Sequence, residues 1–168
     1  GNPSAIEFAR STFIRPNLHF HHKLADELSF PEQSFDLVVM LEFVEHIYFD
    51  QAAVLLQSLS TYLRPGGRIV LTTPNYRSLW PVIEFVLDRT GATPKTAEEQ
   101  HVWRPTHAKL RALADRSGLA VTHLGRGFGF APFMSVLGWK TASVIDELEH
   151  RLGNPFGNLL CAVVQKAK

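Results

Sequence analysis

The residues best suited to chemistry stand close together in this sequence. Glu42, Glu45 and His46 fall at the end of residues 35–47, FDLVVMLEFVEHI. An imidazole titrates near neutrality, so His46 is either a general base acting on a substrate hydroxyl or a residue bonding the backbone of its own turn. Glu42 carries the same pair of readings. Asn75 closes a second apolar run, LRPGGRIVLTTPN, at residues 63–75. His101 and Trp103, in QHVWRPT, either face a substrate or pack a loop. His19 and His21 would share one face of a strand and can in principle bind a metal. No third ligand follows at a recognisable spacing, and no metal site is assigned.

The elements that must position these residues can be read from pattern. Leu37 to Leu41 is continuously apolar, which suits a strand covered on both faces, as in a parallel sheet between helices. Ligands in such sheets bind beyond the carboxyl ends of the strands, where Glu42, Glu45 and His46 stand. Asp50 is a good N-cap for a helix with Ala52, Leu55, Leu56, Leu59, Tyr62 and Leu63 on one face. Arg64-Pro65-Gly66-Gly67 ends that helix and turns into a strand over residues 68–73. This Gly-Gly precedes a strand, so it is not a phosphate cradle.

Upstream, Asn2 caps a helix with Pro3 in its first position, and residues 17–22 read as a strand. Downstream come a helix over residues 78–87 stopped by Gly91, a polar loop over 90–105, and a helix capped by Thr106 with Leu110, Leu113 and Ala114 inward. A strand at 119–124 leads to GRGFGF at 125–130, read as a flexible connection. Residues 133–152 are helical in two pieces, with an apolar first half that could roof a substrate pocket, meet a partner or lie on a membrane surface. A last strand covers 159–165.

At 168 residues, 45% hydrophobic and 20% charged, the chain has the make-up of one globular domain, residues 1–168, with 132–152 a helical insertion before the last strand. A net charge of +1 gives no electrostatic footprint for nucleic acid. No apolar run is long enough for a membrane span. The lone cysteine, Cys161 in LLCAVV, excludes an intrachain disulfide and suits a reducing cytoplasm as a buried thiol. The first residue is Gly1, not Met, which reads as a tag remnant on a trimmed N-terminus.

In order and spacing, FDLV…EHI followed by a helix and L-x-PGG before an apolar strand resembles the class I S-adenosylmethionine-dependent methyltransferases, especially their small-molecule group. AIEFAR resembles the opening of the helix that follows the family's second strand. The resemblance implies an α/β, Rossmann-like sheet lacking its first two strands, mostly parallel with an antiparallel last strand. On that alignment the family's Gly-x-Gly-x-Gly turn and its acidic ribose ligand have no counterpart here. KLADELSFP resembles G-D-A-x-x-L-P-F, with Leu24 at the position of the aspartate that takes the adenine amino group.

The resemblance implies S-adenosylmethionine as cofactor, with Ala25, Asp26, Met40, Leu41 and Glu42 on its side of the site. Asn75, His101 and Trp103 would lie on the acceptor side, with His46 as the nominal base. The implied reaction is methyl transfer to a small molecule, and the apolar stretch at 128–139 points to a hydrophobic one. The alternative is a non-catalytic methyltransferase-like scaffold. In the family the first strand lies beside residues 37–41, so its loss leaves an open edge, and the chain is expected to form a homo-oligomer or a rearranged sheet.

Overall fold

The structure, a computed structural model, describes residues 2–90, 101–154 and 156–166. The chain divides into two compact units, Gly1–Pro31 and Glu32–Lys168. In the first, helix α1 (Pro3–Thr12) starts as the sequence predicts: Ser4 N donates to Asn2 Oδ1 at 3.0 Å, and Pro3 occupies the first helical position. Residues 17–22 are not a strand. A strand needs a ladder for its backbone groups, and no strand pairs with this segment among the described residues. The Phe20 carbonyl instead accepts from Arg10 Nε at 3.2 Å and Nη2 at 2.7 Å. The shared strand face expected for His19 and His21 is therefore not formed. A short 3-10 turn, Ala25–Glu27, follows.

The second unit is built on strands β1 (Phe35–Leu41), β2 (Leu63–Pro74), β3 (Leu119–Gly127) and β4 (Leu159–Lys166), in the order β1-β2-β4-β3. β1 and β2 are parallel, and β4 runs antiparallel to both β2 and β3. Three strands thus share a direction and the last opposes them, in the α/β arrangement expected.

Helices α2 (Phe49–Thr61), α3 (Trp80–Thr90), α4 (His107–Arg116), α5 (Ala131–Met134) and α6 (Trp139–Arg151) complete it. The pairings Ile69↔Val164 and Leu71↔Ala162 set those four side chains on one face of the sheet. There they are buried, as are Ala52, Leu56 and Leu59 of α2 and Leu110, Leu113 and Ala114 of α4. None of the helices among the described residues is long and apolar enough to cross a membrane.

Several boundaries differ from the sequence reading. α2 is capped at Tyr48, not Asp50; Asp50 sits inside the first turn, where a carboxylate favours the helix dipole. β2 begins at Leu63, before the Arg64–Gly67 turn expected to precede it, because Ser34 and Phe35 donate backbone bonds to the Tyr62 carbonyl and draw Leu63 into register with Phe35. Gly66 supplies the positive φ, +81°, of that irregular start.

β1 is not covered on both faces: Leu37, Val39 and Leu41 are exposed and Met40 is buried. It is an edge strand with one strand neighbour among the described residues. Residues 125–127, expected as a flexible connection, extend β3, paired from Gly125↔Cys161 to Gly127↔Leu159. Cys161 is half-buried.

The helical segment does come in pieces, interrupted at Gly138 (φ +108°), and the Glu149 carboxylate takes the amides of Phe130 and Ala131 at 2.6 and 3.3 Å. Thr106 caps α4, accepting from Lys109 N at 3.3 Å. α3 starts at Trp80, whose amide bonds Ser78 Oγ at 3.0 Å; its expected stop at Gly91 lies outside the described residues.

Candidate active site

The chain leaves β1 through Glu42, whose φ of +48° turns it sharply at the carboxyl end of the strand. A 3-10 turn, Val44–His46, follows. The turn presents Glu45 inward, 1% exposed, and His46 outward, with 36% of its side chain exposed. Thr73, near the end of the neighbouring β2, donates to Glu45 Oε2 at 2.9 Å. Parallel pairing of the two strands explains the contact, since it brings their carboxyl ends together. Glu45 Oε1 lies 3.8 Å from His46 Nε2.

Residues 101–105 fold back onto this turn. Val102 N donates to the Glu45 carbonyl at 2.9 Å and Trp103 Nε1 to the Val44 carbonyl at 2.7 Å. Trp103 also meets the Phe49 ring edge-on, 5.4 Å between centroids. These ties set the His101 ring 5.0 Å from that of His46. His101 Nδ1 lies 2.7 Å from both Glu84 Oε1 and Tyr76 Oη, and Tyr76 donates to the same carboxylate at 2.8 and 3.0 Å. Glu84 is 3% exposed. The hydrogen count closes when both Tyr76 O–H and His101 Nδ1–H donate to Glu84, which leaves Nε2 of His101 as the nitrogen with a lone pair. Burial, and next the hydrogen bond to Glu84, push the Tyr76 phenol well above its ordinary value.

Beside this cluster lies an apolar pocket of about 220 Å³, bounded by Glu42, Pro74, Trp80, Ile83, Phe128, Pro132, Phe133, Asn158 and Leu159. Helix α3 serves both sites: Trp80 and Ile83 wall the pocket while Glu84 holds His101. Asn158 donates to the carbonyls of Phe128 and Gly129 at 3.0 and 2.9 Å, and its Oδ1 is buried without a partner among the described residues. Glu42 is exposed as a residue. Its carboxyl is nonetheless partly desolvated at the apolar wall, and this raises its pKa against the opposing bond to Thr72.

Of the residues singled out from sequence, His46, His101 and Trp103 are brought together. Glu42 joins the pocket wall. Leu41 is exposed at the strand end, whereas Met40 is buried in the sheet face. The Asn75 amide is engaged within the chain, donating to the Gly157 carbonyl at 2.9 Å and accepting from Arg77 N at 3.0 Å. Ala25 and Asp26 belong to the first unit, in its 3-10 turn.

Sequence reasoning placed Thr73 at the carboxyl end of its strand without its bond to Glu45, and missed Tyr76 and Glu84. The last had a signal: a lone carboxylate in the apolar run PVIEFVL is expensive to bury unless it has partners.

A family model described as a methyltransferase domain matches residues 3–124. Over 66 residues the chain is 36% identical to the "Probable phthiotriol/phenolphthiotriol dimycocerosates methyltransferase 2" of Mycobacterium ulcerans, a match covering 39% of this chain and 25% of that protein. The chain thus spans about a quarter of the curated relative it matches.

Among solved structures, a SAM-dependent methyltransferase from Archaeoglobus fulgidus superposes with a TM-score of 0.65 at 20% identity, covering 98% of this chain and 73% of that one. An S-adenosylmethionine-dependent methyltransferase from Mesorhizobium loti gives a TM-score of 0.62 at 16% identity, with coverage of 98% and 77%. The strand order, the family match and these superpositions agree: the chain belongs to the methyltransferase domain family and has the class I methyltransferase fold.

Proposed function

We propose that this protein transfers the methyl group of S-adenosylmethionine to a nucleophile on a small, largely apolar molecule. The observation that carries this reading is the juxtaposition, through α3, of the apolar pocket with the Glu45–His46–His101 cluster at the carboxyl ends of β1 and β2. The acceptor's apolar body suits the walls from Trp80, Ile83, Phe128 and Phe133, and the orphaned Asn158 Oδ1 offers one hydrogen-bond acceptor to orient it.

The residues fit part of the cofactor. An exposed Leu41 beside the Glu42 carboxylate matches a cation carried on apolar arms, which is what a sulfonium is. When bound, S-adenosylmethionine supplies an electrophilic methyl on positively charged sulfur.

Alignment of acceptor and methyl in the pocket supplies most of the rate. Where the acceptor begins protonated, His46 takes its proton, and the buried Glu45 carboxylate stabilises the imidazolium. Asn75 holds the turn after β2, and Trp103 holds the 101–105 loop against residues 44–46. We place the protein in the cytoplasm, the compartment that the lone thiol of Cys161 suits.

The test is transfer of labelled methyl from S-adenosylmethionine to a panel of apolar alcohols, phenols and amines. Turnover that prefers apolar acceptors and falls about a hundredfold or more in His46→Ala is expected. Transfer insensitive to that change removes His46 as base; no transfer to any class removes the catalytic reading.

One observation favours a second reading, a scaffold that associates through β1. Leu37, Val39 and Leu41 are exposed on a strand that, among the described residues, has one open edge. A homo-oligomer that binds no cofactor would support it.

A further inference from the structure

We propose that Glu45, His46 and His101 form a binding site for a divalent transition-metal ion of the zinc class. One ligand atom from each of the three lies within 4.8 Å of the other two. The inference does not depend on the methyl-transfer reading, and it excludes the base role of His46 while the ion is bound, because the imidazole lone pair is then on the metal.

Two imidazoles and a carboxylate are the donors that borderline cations such as Zn²⁺ select, whereas Mg²⁺ and Ca²⁺ prefer oxygen alone. Each fixed ligand already has the support that metal ligands require. His101 is held at Nδ1 by Glu84, 2.7 Å away, a carboxylate–histidine pairing that leaves Nε2 to coordinate. Glu45 is held at Oε2 by Thr73, which leaves Oε1 on the side of His46.

The remaining fit is a matter of closure. Metal–nitrogen bonds of about 2.0–2.1 Å place tetrahedral ligand atoms roughly 3.3 Å apart. From 3.8 Å between Glu45 Oε1 and His46 Nε2, and at most 4.8 Å overall, small side-chain rotations suffice. His46, the most exposed of the three, has the room to make them. Three protein ligands leave a fourth position open to water or to an oxygen of a bound molecule.

The experiment is calorimetric titration of the full chain with zinc chloride in a non-chelating buffer, with cobalt(II) absorption as the geometric readout. One ion per chain is expected, with the visible bands of a four- or five-coordinate cobalt site. His46→Gln and His101→Gln should each weaken binding at least about tenfold, and Glu84→Gln, which touches no metal, about ten- to a hundredfold. The half-exposed His46→Gln keeps the test sound if the buried variants unfold, as circular dichroism would reveal. Replacing His19, His21 and His22 together by Gln should leave the affinity unchanged. No saturable binding overturns the proposal, and so does binding that survives His46→Gln and disappears in the triple variant.

Discussion

Glu84 is a carboxylate on an otherwise apolar helix, tolerated because Tyr76 and His101 both satisfy it. Removing one donor leaves buried polar atoms unpaired, so Tyr76→Phe should cost about 1–3 kcal/mol in denaturant unfolding. Unchanged stability would mean that the triad is not formed in solution.

His107 predicts a pH dependence. Burial, and next the nearby Arg126, hold its pKa below the ordinary 6.5, and its Nε2 is buried without a partner among the described residues. Below pH 6.5 the unfolded chain therefore binds a proton that the folded one refuses. Stability should fall as the pH drops from 6.5 through the lowered folded value, and His107→Gln should flatten that part of the profile. Identical profiles for the two proteins would contradict this. At this scale the sequence was legible where chemistry clusters locally, at Glu42, Glu45 and His46. It was silent on the partnership of His101 with residues 45, 76 and 84, which only the return of the 101–105 loop creates.

At the scale of elements, apolar periodicity found α2 and α4. The face read for α4 is buried, while of that read for α2 Ala52, Leu56 and Leu59 are buried, Leu55 is half-buried, and Tyr62 and Leu63 lie beyond the helix. Leu56 of α2 is fully buried, and Leu56→Ala should cost about 2–5 kcal/mol, measured by unfolding in urea. A loss below 1 kcal/mol, about one methylene, would contradict its place in the core. The misread segments failed for a physical reason: strands are made by partners. Residues 17–22 have a strand-like pattern and no ladder, whereas the glycine-rich 125–127 has an unpromising pattern and a ladder on β4. A continuous apolar run likewise fixed β1 as a strand but not its coverage, because an edge position is a property of the sheet.

For the whole molecule, the one-sided pairing of β1 among the described residues has a consequence for association. Sedimentation at rising concentration should show dimers or larger species, with slowed hydrogen exchange at residues 37–41 in the associated form. A monomer whose β1 amides exchange freely at all concentrations would contradict it. Family membership and fold are shared with enzymes that use S-adenosylmethionine, yet the one Gly-x-Gly-x-Gly pattern in the sequence, Gly125 to Gly129, begins within β3 late in the chain and does not align with the family's cofactor turn. Cofactor binding is therefore the point on which the account turns. The direct measurement is calorimetric titration of the chain with S-adenosylmethionine and its demethylated product. The account predicts saturable binding of both, weakened in Glu42→Gln. Absence of binding at millimolar ligand would contradict catalysis by this chain and leave the associating scaffold as its role.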